Sequence, residues 1–289
     1  MSIDINKKAI YKRYIRLVLY WIVAVVLAGV FLFQPIMLIS KSFMSNPDSR
    51  AIPALFFPKE FSVQGYINAM DPLFVKYMWN TVKVLVLSSS GIALSSLWTA
   101  YAFAKLEWKG KNVVFMCILS TTFLPGMVLT IPSYVIYIKV FNWTNTLKPL
   151  WVACWFGGGA LTIFLLRQYM MGLPREMDEA SVIDGANTFQ HFFAIIVPLC
   201  KPMIAYQVLG AIMGVWNGFE GPLIYIQDPD LYTIPVGLFI KFQQVDYAGT
   251  MFPNTKMATG VILMIPLLIL FACAQQTLID GVRVGVSKG

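Results

Sequence analysis

LVLYWIVAVVLAGVFLFQPIMLIS, residues 17–40, runs for 24 residues without a charged side chain. A helix crossing the hydrocarbon core of a bilayer needs about 20 mostly apolar residues. The stretch is longer than the apolar region of a cleaved leader, and no small-x-small cleavage site follows it. It is therefore read as a retained transmembrane helix. Five further runs of the same kind lie downstream, at about 79–104, 113–138, 149–166, 203–226 and 257–274. Three are interrupted: by Pro125 and Pro132 in the third span, by Gly157, Gly158 and Gly159 in the fourth, and by Pro266 in the sixth.

Composition agrees. Of 289 residues, 58% are hydrophobic and 12% charged, and the mean hydropathy is +0.68. A soluble domain is about 45–50% apolar and about 25% charged. So few charges could not cover so apolar a core, whereas a lipid-facing surface needs no cover. The expected class is an all-α membrane protein with six transmembrane helices. The net charge of +8 does not mark a nucleic-acid partner, because no basic stripe with interleaved exposed aromatics accompanies it. The four cysteines, Cys117, Cys154, Cys200 and Cys273, sit in or beside apolar runs and form no CxxC. With His191 the only histidine, no metal site is expected, and the thiols read as small apolar fillers.

Orientation follows from the basic residues. Lys7, Lys8, Lys12, Arg13 and Arg16 precede the first span, and Lys105, Lys109 and Lys111 crowd the connection between the second and third. The opposite loops, 41–78 and 227–256, are sparser in Lys and Arg. Basic residues stay on the cytoplasmic side, so both termini are expected there. The organisation expected is a cytoplasmic tail over 1–16, a first helix over 17–40, an extracytoplasmic loop over 41–78, a five-helix core over 79–276 and a C-terminal tail over 277–289.

The fourth–fifth connection, about 167–202, is then the longest cytoplasmic stretch. It contains PREMDEASVIDGANTFQHFFAIIVPLCKP, from Pro174 to Pro202. Pro174 suits a helix start, and Glu176, Asp178 and Glu179 suit the first turns, where the helix dipole favours anions. Asp184-Gly185 is a turn signal, with Gly185 free to take positive φ. A second helix is expected over about 188–197, with Phe189, Phe192, Phe193 and Ile196 on one face. Pro198 and Pro202 then stop or kink the chain. The element is a helix–turn–helix outside the membrane. Its apolar stripe must pack on the other spans or on a soluble partner, and on the residues alone packing on the other spans is the default.

Glu179-Ala180-Ser181-x-x-Asp184-Gly185-Ala186, followed by Phe192, Pro198-Leu199 and Pro202, resembles the EAA loop of ABC importer permeases. Ser181 stands where a second alanine is usual. The resemblance implies the type I ABC importer permease fold, with this loop as a coupling helix docking on a separate ATPase subunit. It further implies that Glu179 makes polar contacts there, that Ala180 and Ser181 permit close approach, and that Gly185 makes the turn. ATP and Mg would be bound by that partner, a homodimer or heterodimer, and no cofactor by this chain. Ala100-Tyr101-Ala102-Phe103-Ala104-Lys105, the pairs Leu124-Pro125 and Ile131-Pro132, Trp216-Asn217-Gly218-Phe219 with Pro222-Leu223, and the ending through Gly281, Gly285, Lys288 and Gly289 resemble the MalG-like branch, the shorter permease of maltose-type sugar importers. That branch implies a second, different permease, an extracytoplasmic solute-binding protein and an oligosaccharide substrate; an acidic glycan fragment would suit the net positive charge. In such relatives the C-terminal tail reaches the ATPase dimer; on residues alone it reads as a frayed end.

Within the spans, Gly210, Gly214 and Gly218 recur every fourth residue, a pattern that lets helices approach closely, with the partner left open. Trp216, Asn217 and Glu220 are candidates for the substrate pathway, Glu220 because a carboxylate inside a span is costly. Glu220 lies toward the outer end, so a solvated role competes. No Walker A motif, GxSxG or HExxH is present, so no catalytic residue is expected and energy must come from a partner. A secondary transporter would show an internal repeat or intramembrane charge pairs, and neither is evident. An ABC permease for a solute other than sugar is the nearer alternative.

Overall fold

A computed structural model describes the backbone of residues 2–247 and 252–286, with side chains over 13–243 and 252–275. Among the described residues the secondary structure is helical, apart from one antiparallel bridge between Met44 and Phe61. Four helical stretches are long and apolar enough to cross a membrane: Arg13–Ser42, Pro72–Ala104, Lys148–Met171 and Pro253–Gln275. Two more spans are bent pairs, Lys111–Phe123 with Gly126–Val140 at 100° and Thr188–Leu199 with Lys201–Trp216 at 72°. Counted so, the spans number six. The chain divides into two compact units.

The smaller unit comprises residues 1–71 and 248–265. Its first helix, Ser2–Ser42, begins well before the apolar run that defines the span. After it, Phe43 stacks on Phe61 at 4.8 Å, and the Ser42 hydroxyl bonds Tyr66 Oη at 2.7 Å. Asn254 is fully buried and donates to the Met44 carbonyl at 2.9 Å. Gly65 lies so close to the Asn254 backbone that a Cβ would approach its oxygen to 3.0 Å.

The larger unit comprises residues 72–247 and 266–289. Its central element is helix Pro72–Ala104, which buries Phe74, Tyr77, Val84, Leu97, Ala100, Tyr101 and Phe103 among the helices around it. The fourth span is broken where the sequence is Gly157-Gly158-Gly159, with φ of 86°, 66° and 99°. Side chains do not favour such φ. The freed backbone groups find partners: Gly157 N–H donates to Ser95 Oγ at 3.0 Å, and Ser95 Oγ reaches the Cys154 carbonyl at 3.1 Å. Trp155 Nε1 donates to the Leu87 carbonyl at 3.0 Å. An irregular backbone at membrane depth is tolerable only when buried against protein in this way, or when it lines a cavity.

The fifth span departs from the expected continuous run over 203–226. Helix Lys201–Trp216 ends at Asn217, and a separate short helix, Glu220–Tyr225, follows. The expected loop over 227–256 is also not irregular throughout. Helix Ile234–Tyr247 occupies its middle, with Ile234 and Val236 buried and Ile234 N–H donating to Thr81 Oγ1 at 2.9 Å. Its run is too short for a span and is broken by Pro235, Gly237 and Lys241, which hid it in a search for long apolar segments. The last helix runs from Pro253 to Val286, through the region expected as a separate tail from 277.

Candidate functional site

The loop between the fourth and fifth spans forms two helices at a tight turn. The first is Arg175–Ile183, with Pro174 just before it and Glu176 and Asp178 in its first turn. Its end is closed by Asp184 N–H to the Ala180 carbonyl at 3.0 Å and Ala186 N–H to the Ser181 carbonyl at 3.0 Å. Gly185 sits between them with φ of 73°. Asn187 and Gln190 then form a reciprocal capping box, both bonds at 2.9 Å, which starts the second helix, Thr188–Leu199.

This second helix anchors the element. Phe192 and Ile196 are 1% and 0% exposed and join Leu97, Ala100, Tyr101, Leu166, Met170 and Cys200 in one apolar cluster. Its middle, His191–Ile196, is wound as a π-helix. The wider turn separates residues that ideal α-helical spacing puts on one face. The apolar face expected from Phe189, Phe192, Phe193 and Ile196 is split accordingly. Phe192 stacks on Trp98 with ring centroids 4.0 Å apart, while Phe189 and Phe193 meet the same ring edge-on at 5.5 and 5.6 Å and remain exposed.

The first helix is held differently. Ser181 is its one buried residue, and its hydroxyl donates to the Asp178 carbonyl at 2.7 Å. Glu179, Ala180 and Asp184 face outward, as does Pro198 on the second helix, while Ala186 is half-buried. Val182 and Ile183 are 74% and 85% exposed, an apolar edge left uncovered by the described residues.

One group of polar side chains was not foreseen. Asp178 receives Lys105 Nζ on one carboxylate oxygen at 2.5 Å and His191 Nε2 on the other at 3.0 Å. His191 Nδ1 is 2.8 Å from Tyr101 Oη. Lys105 and His191 side chains are each 12% exposed and Asp178 30%. The available signal was slight: an acidic residue and the single histidine in one loop, facing a basic turn.

The other candidate residues are dispersed. Trp216 is 7% exposed, packed into the protein. Asn217 is exposed and donates to its own helix at the Met213 carbonyl, 2.9 Å away. Glu220 is exposed in the first turn of its short helix. These three form no common site within this chain. A Cβ added at Gly210 or Gly214 meets nothing within 4 Å, whereas at Gly218 it lies 2.9 Å from the Gly214 carbonyl oxygen. Gly210 and Gly214 are therefore open among the described residues, while Gly218 is confined by its own helix end. Pro125 and Pro132 are likewise exposed. Gly281 and Gly285 lie on the last helix, outside the residues whose side chains are described, and Lys288 and Gly289 lie outside the described residues altogether.

The fold and the loop define an all-helical membrane protein that presents an exposed acidic and apolar edge on a helix–turn–helix between two of its spans. The chain belongs to the family of binding-protein-dependent transport system inner membrane components, which it matches over residues 91–284. It is thus a permease subunit and not an enzyme. It is 28% identical over 96% of its length to the whole of the arabinooligosaccharides transport system permease protein AraQ of Halalkalibacterium halodurans. It is also 28% identical over 96% of its length to 98% of the galactooligosaccharides transport system permease protein GanQ of Bacillus subtilis. Its fold is similar to a chain in the crystal structure of a bacterial ABC transporter involved in the import of the acidic polysaccharide alginate. The TM-score is 0.75 at 24% identity, covering 89% of this chain and 96% of that one.

Proposed function

We propose that the chain is one of two pore-forming permease subunits of an ATP-driven importer for oligosaccharides, and that helices 175–183 and 188–199 dock on a separate ATPase subunit. The carrying observation is the uncovered edge of the first helix. Glu179, Val182 and Ile183 point away from the protein, while Phe192 and Ile196 fix the adjoining helix to the spans. Such an edge suits a cleft on a soluble partner. Glu179 supplies a carboxylate for a charge-assisted bond there, and Ala180 leaves room for close approach. ATP and Mg are bound by that partner, a homodimer or heterodimer. A second, different permease supplies the rest of the pore and covers Gly210 and Gly214; the exposed bend at Pro125 faces that partner or the pore. A binding protein delivers the substrate from outside, and the C-terminal tail reaches toward the ATPase. Both termini are cytoplasmic, in a bacterial inner membrane.

The oligosaccharide class is supported by the relatives, whose names specify arabino- and galacto-oligosaccharides. Proteoliposomes with the complete importer test it. ATP-driven uptake of a labelled neutral oligosaccharide, dependent on the binding protein, is expected. Uptake of a non-sugar solute alone would overturn the substrate class without touching the coupling role.

A further inference from the structure

The first helix of the loop is a nine-residue element with one buried side chain. Apolar burial therefore does little to hold it. At its C-terminus it joins the second helix through Gly185, whose missing Cβ has no neighbour within 4 Å. A force applied at the exposed edge would tend to swing the helix about that turn unless something holds it nearer its start.

Asp178 does so. Its two carboxylate oxygens are each taken, one by Lys105 Nζ at 2.5 Å and one by His191 Nε2 at 3.0 Å. Lys105 immediately follows helix Pro72–Ala104. One turn earlier on that helix, Tyr101 is 2.8 Å from the other nitrogen of His191. The bonds are mutually consistent with a neutral ring: Nε2–H donates to the carboxylate and Nδ1 accepts from the tyrosine hydroxyl. One carboxylate then faces one ammonium, and no further charge is needed. The half-buried setting makes removal of one partner costly, because it leaves the other desolvated and unpaired.

We infer that Asp178 is a positioning residue for energy coupling, locking helix 175–183 to the end of helix 72–104 so that movement of the loop is passed directly to the second span as well as through the fifth. Helix 72–104 packs with both Leu166 of the fourth span and Ile196 of the bent fifth, so a load on it is shared across the larger unit. The inference rests on the docking role proposed above, but it concerns the link inside this chain rather than the contact with the ATPase.

The test measures uptake per ATP hydrolysed by the complete importer in proteoliposomes. Asp178→Asn should assemble and retain its ATPase, yet transport about tenfold less per ATP hydrolysed. Asp178→Glu should recover much of the loss, as should the charge-swapped pair Lys105→Asp with Asp178→Lys. A merely structural role would lower the amount of complex without changing the ratio. Wild-type stoichiometry in Asp178→Asn overturns the inference. Where Asp178→Asn fails to assemble, the swapped pair decides, and a swap that is uncoupled or unassembled also overturns it. Gly185→Val and Glu179→Lys are run in parallel. Normal coupling in those two would sink the docking role itself; disturbed coupling there with a silent Asp178→Asn would remove only the clamp.

Discussion

Gly185 has φ of 73° and open space where a side chain would stand. Any effect of substitution there is therefore backbone strain rather than a clash. A branched residue in this conformation costs about 1–2 kcal/mol, while asparagine tolerates it better. Gly185→Val should reach the membrane at normal levels and lose substrate-stimulated ATP hydrolysis, whereas Gly185→Asn should keep most of it; equal behaviour of the two would show that φ is not the constraint. The turn was legible beforehand because Asp-Gly carries its own mechanism. Ser181 was legible as a small residue, but not as the one buried position of its helix. The Asp178–Lys105–His191–Tyr101 group was not legible, since its members are separated by up to 90 positions and no local spacing brings them together.

Between helices, aromatic packing adds to the apolar cluster that anchors the loop. Trp98 stacks on Phe192 and meets Phe189 and Phe193 edge-on. Such pairs contribute about 0.5–1.5 kcal/mol each beyond area burial. Trp98→Ala should lower the thermal stability of the detergent-solubilised permease by several degrees, and Trp98→Phe should restore part of it; unchanged melting in Trp98→Ala would mean that the cluster does not hold the loop. A second site tests the broken fourth span. A Cβ at Gly91 would come within 2.5 Å of the Trp155 ring, and overpacking of this kind costs about 1–3 kcal/mol. Gly91→Leu should reduce the yield of folded protein, measured by fluorescence-detected gel filtration. Hydropathy located five of the spans after the first, yet it could not place breaks inside them. Three consecutive glycines and paired prolines signalled interruption, but the size of a bend depends on partners such as Ser95 and Trp155, which lie far away in sequence. Helix 234–247 was missed for a related reason: it is held by Thr81 of a distant helix, and its own apolar run is too short to read as a span.

Across the whole chain, the proposed topology places both ends on the cytoplasmic side, on the strength of an even span count and the clustering of Lys and Arg before the first span and between the second and third. In a cysteine-free background, Lys109→Cys should label only from the cytoplasmic face and Glu60→Cys only from outside; labelling from one side would refute the topology. The composition announced a membrane bundle at once, and the EAA-like loop announced its class. Gly210, Gly214 and Pro125 stand open among the described residues, and the proposed second permease is the partner expected to cover them. The proposed function turns on the loop coupling this permease to a separate ATPase. Its most direct measurement is native purification of the importer from membranes, followed by mass spectrometry of the intact complex, for the wild type and for Glu179→Lys. Two ATP-binding subunits are expected with the wild type, and their loss or marked depletion with Glu179→Lys at equal permease abundance. A transport-competent assembly containing no ATPase would contradict that coupling.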